Sequence, residues 1–171
     1  MRGRCQSPFK RAIGIALFSA LVTLVCFPVS AEGAEGPFTA LIGSWSGTGT
    51  ILLSSGAKER IRCQAQYRLG SGTTSLRLEL SCESDSYKFQ LRSQVSYREG
   101  AISGTWDEMT RATGGSVDGR VVGSQMRIKA EGQTFTAILS VTTQSERQSV
   151  SIQSPGSAMS DVTITMTRKS R

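Results

Sequence analysis

From Trp45 onward, apolar side chains recur at every second position, and no stretch keeps a helical period. Leu76, Leu78, Leu80 and Cys82 alternate with polar residues. So do Tyr87, Phe89, Leu91, Val95 and Tyr97, then Phe135, Ala137, Leu139 and Val141, and finally Val162, Ile164 and Met166. Successive side chains of a strand point to opposite faces, so this pattern describes strands with one buried and one wet side. It predicts an all-β fold of about ten strands, at 45–53, 59–69, 75–82, 87–97, 101–108, 116–122, 125–130, 133–143, 148–153 and 161–168. Phe38 to Ile42 has room for one short helical turn.

The punctuation between these segments predicts an antiparallel meander. Glu99-Gly100, Gly123-Ser124, Glu131-Gly132 and Ser145-Glu146 each read as a tight hairpin connection. These turns place Tyr97 opposite Ile102, Val121 opposite Met126, Ile128 opposite Phe135 and Met126 opposite Ala137. Apolar meets apolar each time, and a slip of one residue would reverse every face. A meander with one apolar face must bury that face and deal with its edges, and closure into a small barrel does both. A two-sheet β-sandwich is the alternative. Gly47, Gly49, Gly104 and Gly119 lie on the apolar register, where they suit sharp bends or close backbone approach.

The N-terminal segment is built differently. Arg2, Arg4, Lys10 and Arg11 precede an uncharged, mostly apolar run from Ala12 to Phe27, and Pro28 with Val29-Ser30-Ala31 follows before Glu32. This reads as a secretory signal over 1–31, cleaved after Ala31. The competing reading is a membrane anchor, but the run falls short of the roughly 20 residues that a spanning helix needs. Cys26 lacks the small preceding residue of a lipidation site, because Val25 stands there. Removing the signal takes four of the 20 Lys and Arg and none of the 13 Asp and Glu, so the mature balance is sixteen against thirteen. That mild basicity argues against nucleic acid, whose partners carry a concentrated basic stripe. Residues 32–37 read as a flexible leader and 38–171 as one β-barrel domain of ordinary size. The expected address is the periplasm of a Gram-negative bacterium or the medium, with no transmembrane segment left after cleavage.

Cys5 and Cys26 leave with the signal, and Cys63 and Cys82 remain. A loop at Ser71 to Thr74 pairs Leu69 with Leu76, Tyr67 with Leu78, Ala65 with Leu80 and Cys63 with Cys82. Directly opposite residues lie about 4.5–5.5 Å apart at Cα, within disulfide range. In an oxidising compartment this pair is a structural staple. Its position on an apolar register argues against the exposed, acidic thiols of a redox-active pair.

Catalytic equipment is sparse. The sequence contains no histidine, which removes the commonest general base and the usual zinc and haem ligands. A disulfide leaves no thiolate, and neither a Gly-x-Ser-x-Gly elbow nor a phosphate-binding loop is present. Asp107 and Glu108 are adjacent and so point to opposite faces of a strand, a poor arrangement for acid–base work. Glu83 and Asp85 fall on a turn with too few oxygen ligands for calcium. The reading is a non-enzyme without cofactor or metal.

Two surfaces remain as binding candidates. Trp45, Tyr67, Phe89, Trp106, Met126 and Phe135 share the apolar face, where they fill a core or line a cavity for a small apolar ligand. The opposite face of the second to fourth strands carries Arg60, Arg62, Arg68, Arg77, Lys88 and Arg92, with glutamines between them. Arg62 falls opposite Glu83. Arg68 falls opposite Arg77, an unfavourable pair that is either an anion site or two side chains splayed into water.

The run Leu41-Ile42-Gly43-Ser44-Trp45 resembles the opening of the calycins, the lipocalin-like barrels, in which a Gly-x-Trp on the first strand plugs the barrel base. The resemblance implies a basic residue near the end of the last strand stacked over that tryptophan, and Arg168 holds the matching position. Gly43 to Gly49 also resembles the start of nitrobindin-like ten-stranded barrels, whose haem needs a histidine that this chain lacks. A second Gly-x-Trp, Gly104-Thr105-Trp106, is outside the lipocalin pattern. As a whole the chain is similar to exported α-proteobacterial proteins, which implies export but no activity. Calycin barrels imply small-ligand carriage. Some are periplasmic protease inhibitors acting through an extended N-terminal trunk, for which Glu32 to Phe38 is the corresponding segment. An envelope-associated interaction module using the basic face is the remaining reading, and the oligomeric state is left open.

Overall fold

A computed structural model of the chain describes residues 36–170. The signal segment, Cys5, Cys26 and leader residues 32–35 lie outside the described residues. A short 3-10 helix, Thr39–Leu41, precedes ten strands. These are β1 (Gly43–Leu53), β2 (Lys58–Leu69), β3 (Ser75–Glu83), β4 (Lys88–Arg98) and β5 (Ala101–Glu108), then β6 (Thr113–Val122), β7 (Gln125–Glu131), β8 (Thr136–Gln144), β9 (Arg147–Gln153) and β10 (Met159–Arg168). Each strand pairs antiparallel with its chain neighbours, and β1 pairs with β10 to close the sheet. The architecture is therefore a closed barrel and not a sandwich. Closure leaves no strand edge with unpaired backbone groups.

The hydrophobic alternation explains the orientation of every strand. Residues such as Ile61, Cys63, Ala65 and Tyr67 on β2 are buried, while Arg60, Arg62, Gln64 and Arg68 between them face water. The register of β2 against β3 pairs Leu69 with Leu76, Tyr67 with Leu78 and Cys63 with Cys82. Tyr97 faces Ile102 across the Glu99-Gly100 turn, and Val121 faces Met126 across Gly123-Ser124. Glu99 and Gly100 both adopt positive φ, 50° and 87°, the conformation that lets a two-residue turn follow the strand twist.

The β7–β8 hairpin differs from the sequence expectation. Ile128 faces Leu139 and Met126 faces Val141, not Phe135 and Ala137. The connection is wider than a two-residue turn, and the Gly132 N–H donates to the Phe135 carbonyl at 3.0 Å. The shift is even, so every side chain keeps its face, and alternation alone does not separate the two registers. What separates them is Phe135. Released from the strand, its ring folds over the barrel end against Trp106, with centroids 5.5 Å apart. A Cβ on Gly132 would sit only 2.8 Å from that ring.

Strand β6 begins at Thr113 and so includes Gly114 and Gly115, ahead of the expected start at residue 116. A side chain at Gly115 would strike the Glu131 carbonyl and come within 3.1 Å of the Trp106 indole nitrogen. Gly47 and Gly49 have the same cause on the other side of the barrel, where a Cβ would collide with the Thr165 and Thr163 carbonyls of β10.

Candidate functional site

One end of the barrel is sealed. The 3-10 helix crosses this end and packs against β8. Leu41 of this helix, Phe38 before it and Trp45 on β1 are fully buried. The Trp45 indole N–H donates to the Leu41 carbonyl at 2.7 Å, which stitches the helix to the floor. Arg168, opposite Trp45 in the β1–β10 ladder, lays its guanidinium 4.4 Å above the indole ring. The same guanidinium donates to the Ile42 carbonyl and, at 2.6 Å, to the Ala40 carbonyl. Its Nε lies 3.0 Å from the Glu146 carboxylate. Arg168 therefore ties the helix, the first strand and the β8–β9 turn together at one point.

Above this plug lies a buried polar bridge. The Tyr67 hydroxyl of β2 donates to the Gln148 side-chain oxygen of β9 at 3.1 Å, and the Gln148 amide donates to the Thr143 hydroxyl of β8 at 3.1 Å. Burial pushes the Tyr67 phenol up to about 12, and its bond to Gln148 offsets this only in part. Leu76, Ile102, Met126 and Met166 complete a solid layer. Of the six apolar candidates, Trp45, Tyr67 and Met126 belong to this closed end.

Burial then differs from strand to strand around the barrel. Apart from Ala137, the inward positions of β4, β7, β8 and β9 beyond the floor are only half-buried, although they point to the same side as the fully buried residues of β1, β2 and β10. They include Leu91, Val95, Ile128, Leu139, Val150 and Ile152. Ser93 is a polar residue in this otherwise aliphatic belt, and its hydroxyl is spent on the Thr105 carbonyl at 2.8 Å. A barrel of about eight strands is just wide enough for side chains to fill. Ten strands with these modest aliphatic side chains leave the inner wall partly accessible.

The opposite end carries the other three candidates. Trp106 is buried against Phe135, and its indole N–H donates to the Glu131 carbonyl at 3.2 Å. Phe89 is half-buried, stacked on Tyr87 with ring centroids 6.1 Å apart. Arg111 covers the Phe89 ring at 5.2 Å. Glu108 turns inward at the end of β5 and is only 6% exposed. It accepts from the N–H groups of Gln90, Thr110 and Arg111 at 3.1, 3.1 and 2.8 Å, and from the Thr110 hydroxyl. Burial pushes its carboxyl up, but these donors outweigh burial and hold it below the usual carboxylate range.

The Cys63–Cys82 disulfide is present in the inner wall between β2 and β3, with Cα atoms 4.1 Å apart. Both cysteines are buried. On the outside, Arg68 and Arg77 do stand opposite each other, but Arg68 leans to Glu79, 3.8 Å away, with both side chains more than half exposed. The ladders also set Arg62 and Lys88 on either side of Glu83, and Arg92 between Glu79 and Asp107. This face alternates in sign and carries no concentrated positive field. An open outer depression of about 330 Å³ runs past Gln64, Gln66, Glu79, Ser81, Gln90 and Arg92. Among the described residues no cluster of three or more Cys, Asp or Glu is placed to hold a metal.

This barrel is shared with solved structures. The structure of Rv2717c from M. tuberculosis superposes with a TM-score of 0.62 at 13% identity, covering 78% of this chain and 95% of that one. The S-type phycobiliprotein lyase CPES from Guillardia theta superposes with a TM-score of 0.59 at 8% identity, covering 78% and 91%. The fold is thus a calycin-like β-barrel. No protein-family model and no curated protein sequence matches the chain.

The sequence singled out the aromatic residues of both ends. It passed over the aliphatic belt between them, because Leu, Val and Ile on an inward register carry the same signal in a solid core and in a cavity wall. It also passed over Gln148 and Thr143, and it set Glu108 aside as half of a poor carboxylate pair. Gln148 and Thr143 do break the apolar alternation at inward positions of β9 and β8, and that break was their signal.

Proposed function

We propose that this chain is an exported, non-catalytic barrel that carries a small apolar ligand in its interior, with the periplasm as its place of work. The observation that carries this reading is the uneven burial of the inner wall. One end is plugged to full burial, while the aliphatic belt on β4, β7, β8 and β9, with Phe89 at its rim, is left half-buried although it faces inward. An inner wall that is apolar and partly accessible gains free energy from any apolar surface that covers it, at about 25 cal/mol per Å². A few polar groups near the entrance would orient such a ligand. The Cys63–Cys82 disulfide fits an oxidising compartment, and among the described residues no helix is long and apolar enough to cross a membrane.

Titration with a neutral, environment-sensitive apolar dye tests this reading. The expected result is saturable binding of one dye per barrel with blue-shifted emission. Leu139→Trp, which fills the belt from β8, should abolish it while leaving the protein folded. Dye emission that stays that of water at every protein concentration would exclude an accessible apolar interior.

A further inference from the structure

We infer that the ligand is an amphiphile whose anionic headgroup is taken by Arg111 at the open end, with its alkyl chain lying along the aliphatic belt. This rests on the carrier reading above and names the chemical class of the cargo. The argument starts from the β5–β6 loop. Glu108 anchors that loop with four donors, three backbone N–H groups and one hydroxyl. The Arg111 guanidinium is not among these donors. Its Nη1 lies 3.7 Å from the Glu108 carboxylate, an ion pair beyond hydrogen-bond reach. No side-chain N–H of Arg111 finds a hydrogen-bond acceptor among the described residues, and the side chain is 49% exposed.

Arg111 is nevertheless held in place. Its backbone N–H is fixed by Glu108 at 2.8 Å, and its guanidinium rests on Phe89. Phe89 is an inward residue, two positions from Leu91 of the belt. A stacked, preorganised guanidinium with its N–H fork unclaimed matches carboxylate or phosphate oxygens. The site thus has two chemically distinct parts in series, an aliphatic belt and a guanidinium at its rim whose N–H groups make no hydrogen bond among the described residues.

The experiment displaces the apolar dye from the full mature protein with dodecanoate, dodecyl phosphate and dodecanol, which share one chain and differ in head. Wild-type protein should bind at least one of the two anions roughly tenfold or more tightly than the alcohol, the scale of one charge-assisted hydrogen bond. Arg111→Gln should remove that preference and leave dodecanol affinity unchanged. Arg111→Lys should restore part of it, and Arg98→Gln, at an exposed position of the plugged end, should retain it fully. The ranking of phosphate against carboxylate separates a phospholipid-derived cargo from a free fatty acid. Equal binding of all three heads by the wild type would overturn the headgroup assignment and leave the carrier reading standing. Equal loss of all three in Arg111→Gln, or loss of the preference in Arg98→Gln, would also overturn it. Dye binding without displacement by any of the three excludes an alkyl amphiphile, whereas failure of the dye itself to bind removes the carrier reading first.

Discussion

Arg168 concentrates several structural duties in one side chain. It stacks on Trp45, donates to two carbonyls of the 3-10 helix region and faces Glu146. Replacement by Met keeps the bulk and removes every one of these polar links, so Arg168→Met should destabilise the fold by about 2–3 kcal/mol, read from urea unfolding. Glu108 makes a pH-dependent contribution. Its carboxyl is held below its ordinary range, so its stabilisation is full above the unfolded carboxylate value and is lost as pH falls through the folded value. Glu108→Gln should flatten the acid limb of the stability curve, and an unchanged limb would contradict this assignment. Tyr67 acts in the opposite direction. Its phenol is raised to about 12, so the protonated form is favoured in the folded state and stability declines as pH rises from about 10 towards 12. Ultraviolet titration of the three tyrosines should show one that ionises only with unfolding.

At the scale of elements, the disulfide and the glycines do the shaping. Cys63 and Cys82 enclose a hairpin with a sequence separation of 19 residues. Their joint replacement by Ala should cost about 3 kcal/mol in the chain-entropy account, read as a lower urea midpoint. Gly47→Ala should cost about 1–3 kcal/mol, because its Cβ would meet the Thr165 carbonyl on the paired strand and the backbones must part. Much of this layer was legible in the sequence. Period-two alternation located ten strands, and counting outward from the turn paired Cys63 with Cys82. The β7–β8 register was not legible, because an even slip preserves every face and the deciding contact of Phe135 with Trp106 joins residues 29 positions apart. Gly114 and Gly115 fell outside the expected strand for a related reason: only the neighbouring strand shows why a strand there must lack side chains.

At the scale of the molecule, the barrel has a sealed end and a partly accessible stretch of inner wall. Phe38, Leu41, Trp45 and the Tyr67–Gln148–Thr143 bridge close the first. The second is walled by aliphatic residues that remain half-buried, with Arg111 over Phe89 at its rim. The sequence announced a barrel and the large side chains of its inner face, but whether the interior was filled depended on strand number and side-chain volume together, which no single residue encodes. The competing location for a ligand is the polar outer depression along β2 to β4. Backbone amide chemical shifts followed during titration with the apolar dye separate the two most directly. The account predicts shifts at Ser93, Leu139, Val150 and Ile152, with Phe38 and Trp45 unmoved. Shifts confined to Gln64, Gln66 and Arg92 on the outside, with the inner belt silent, would contradict it.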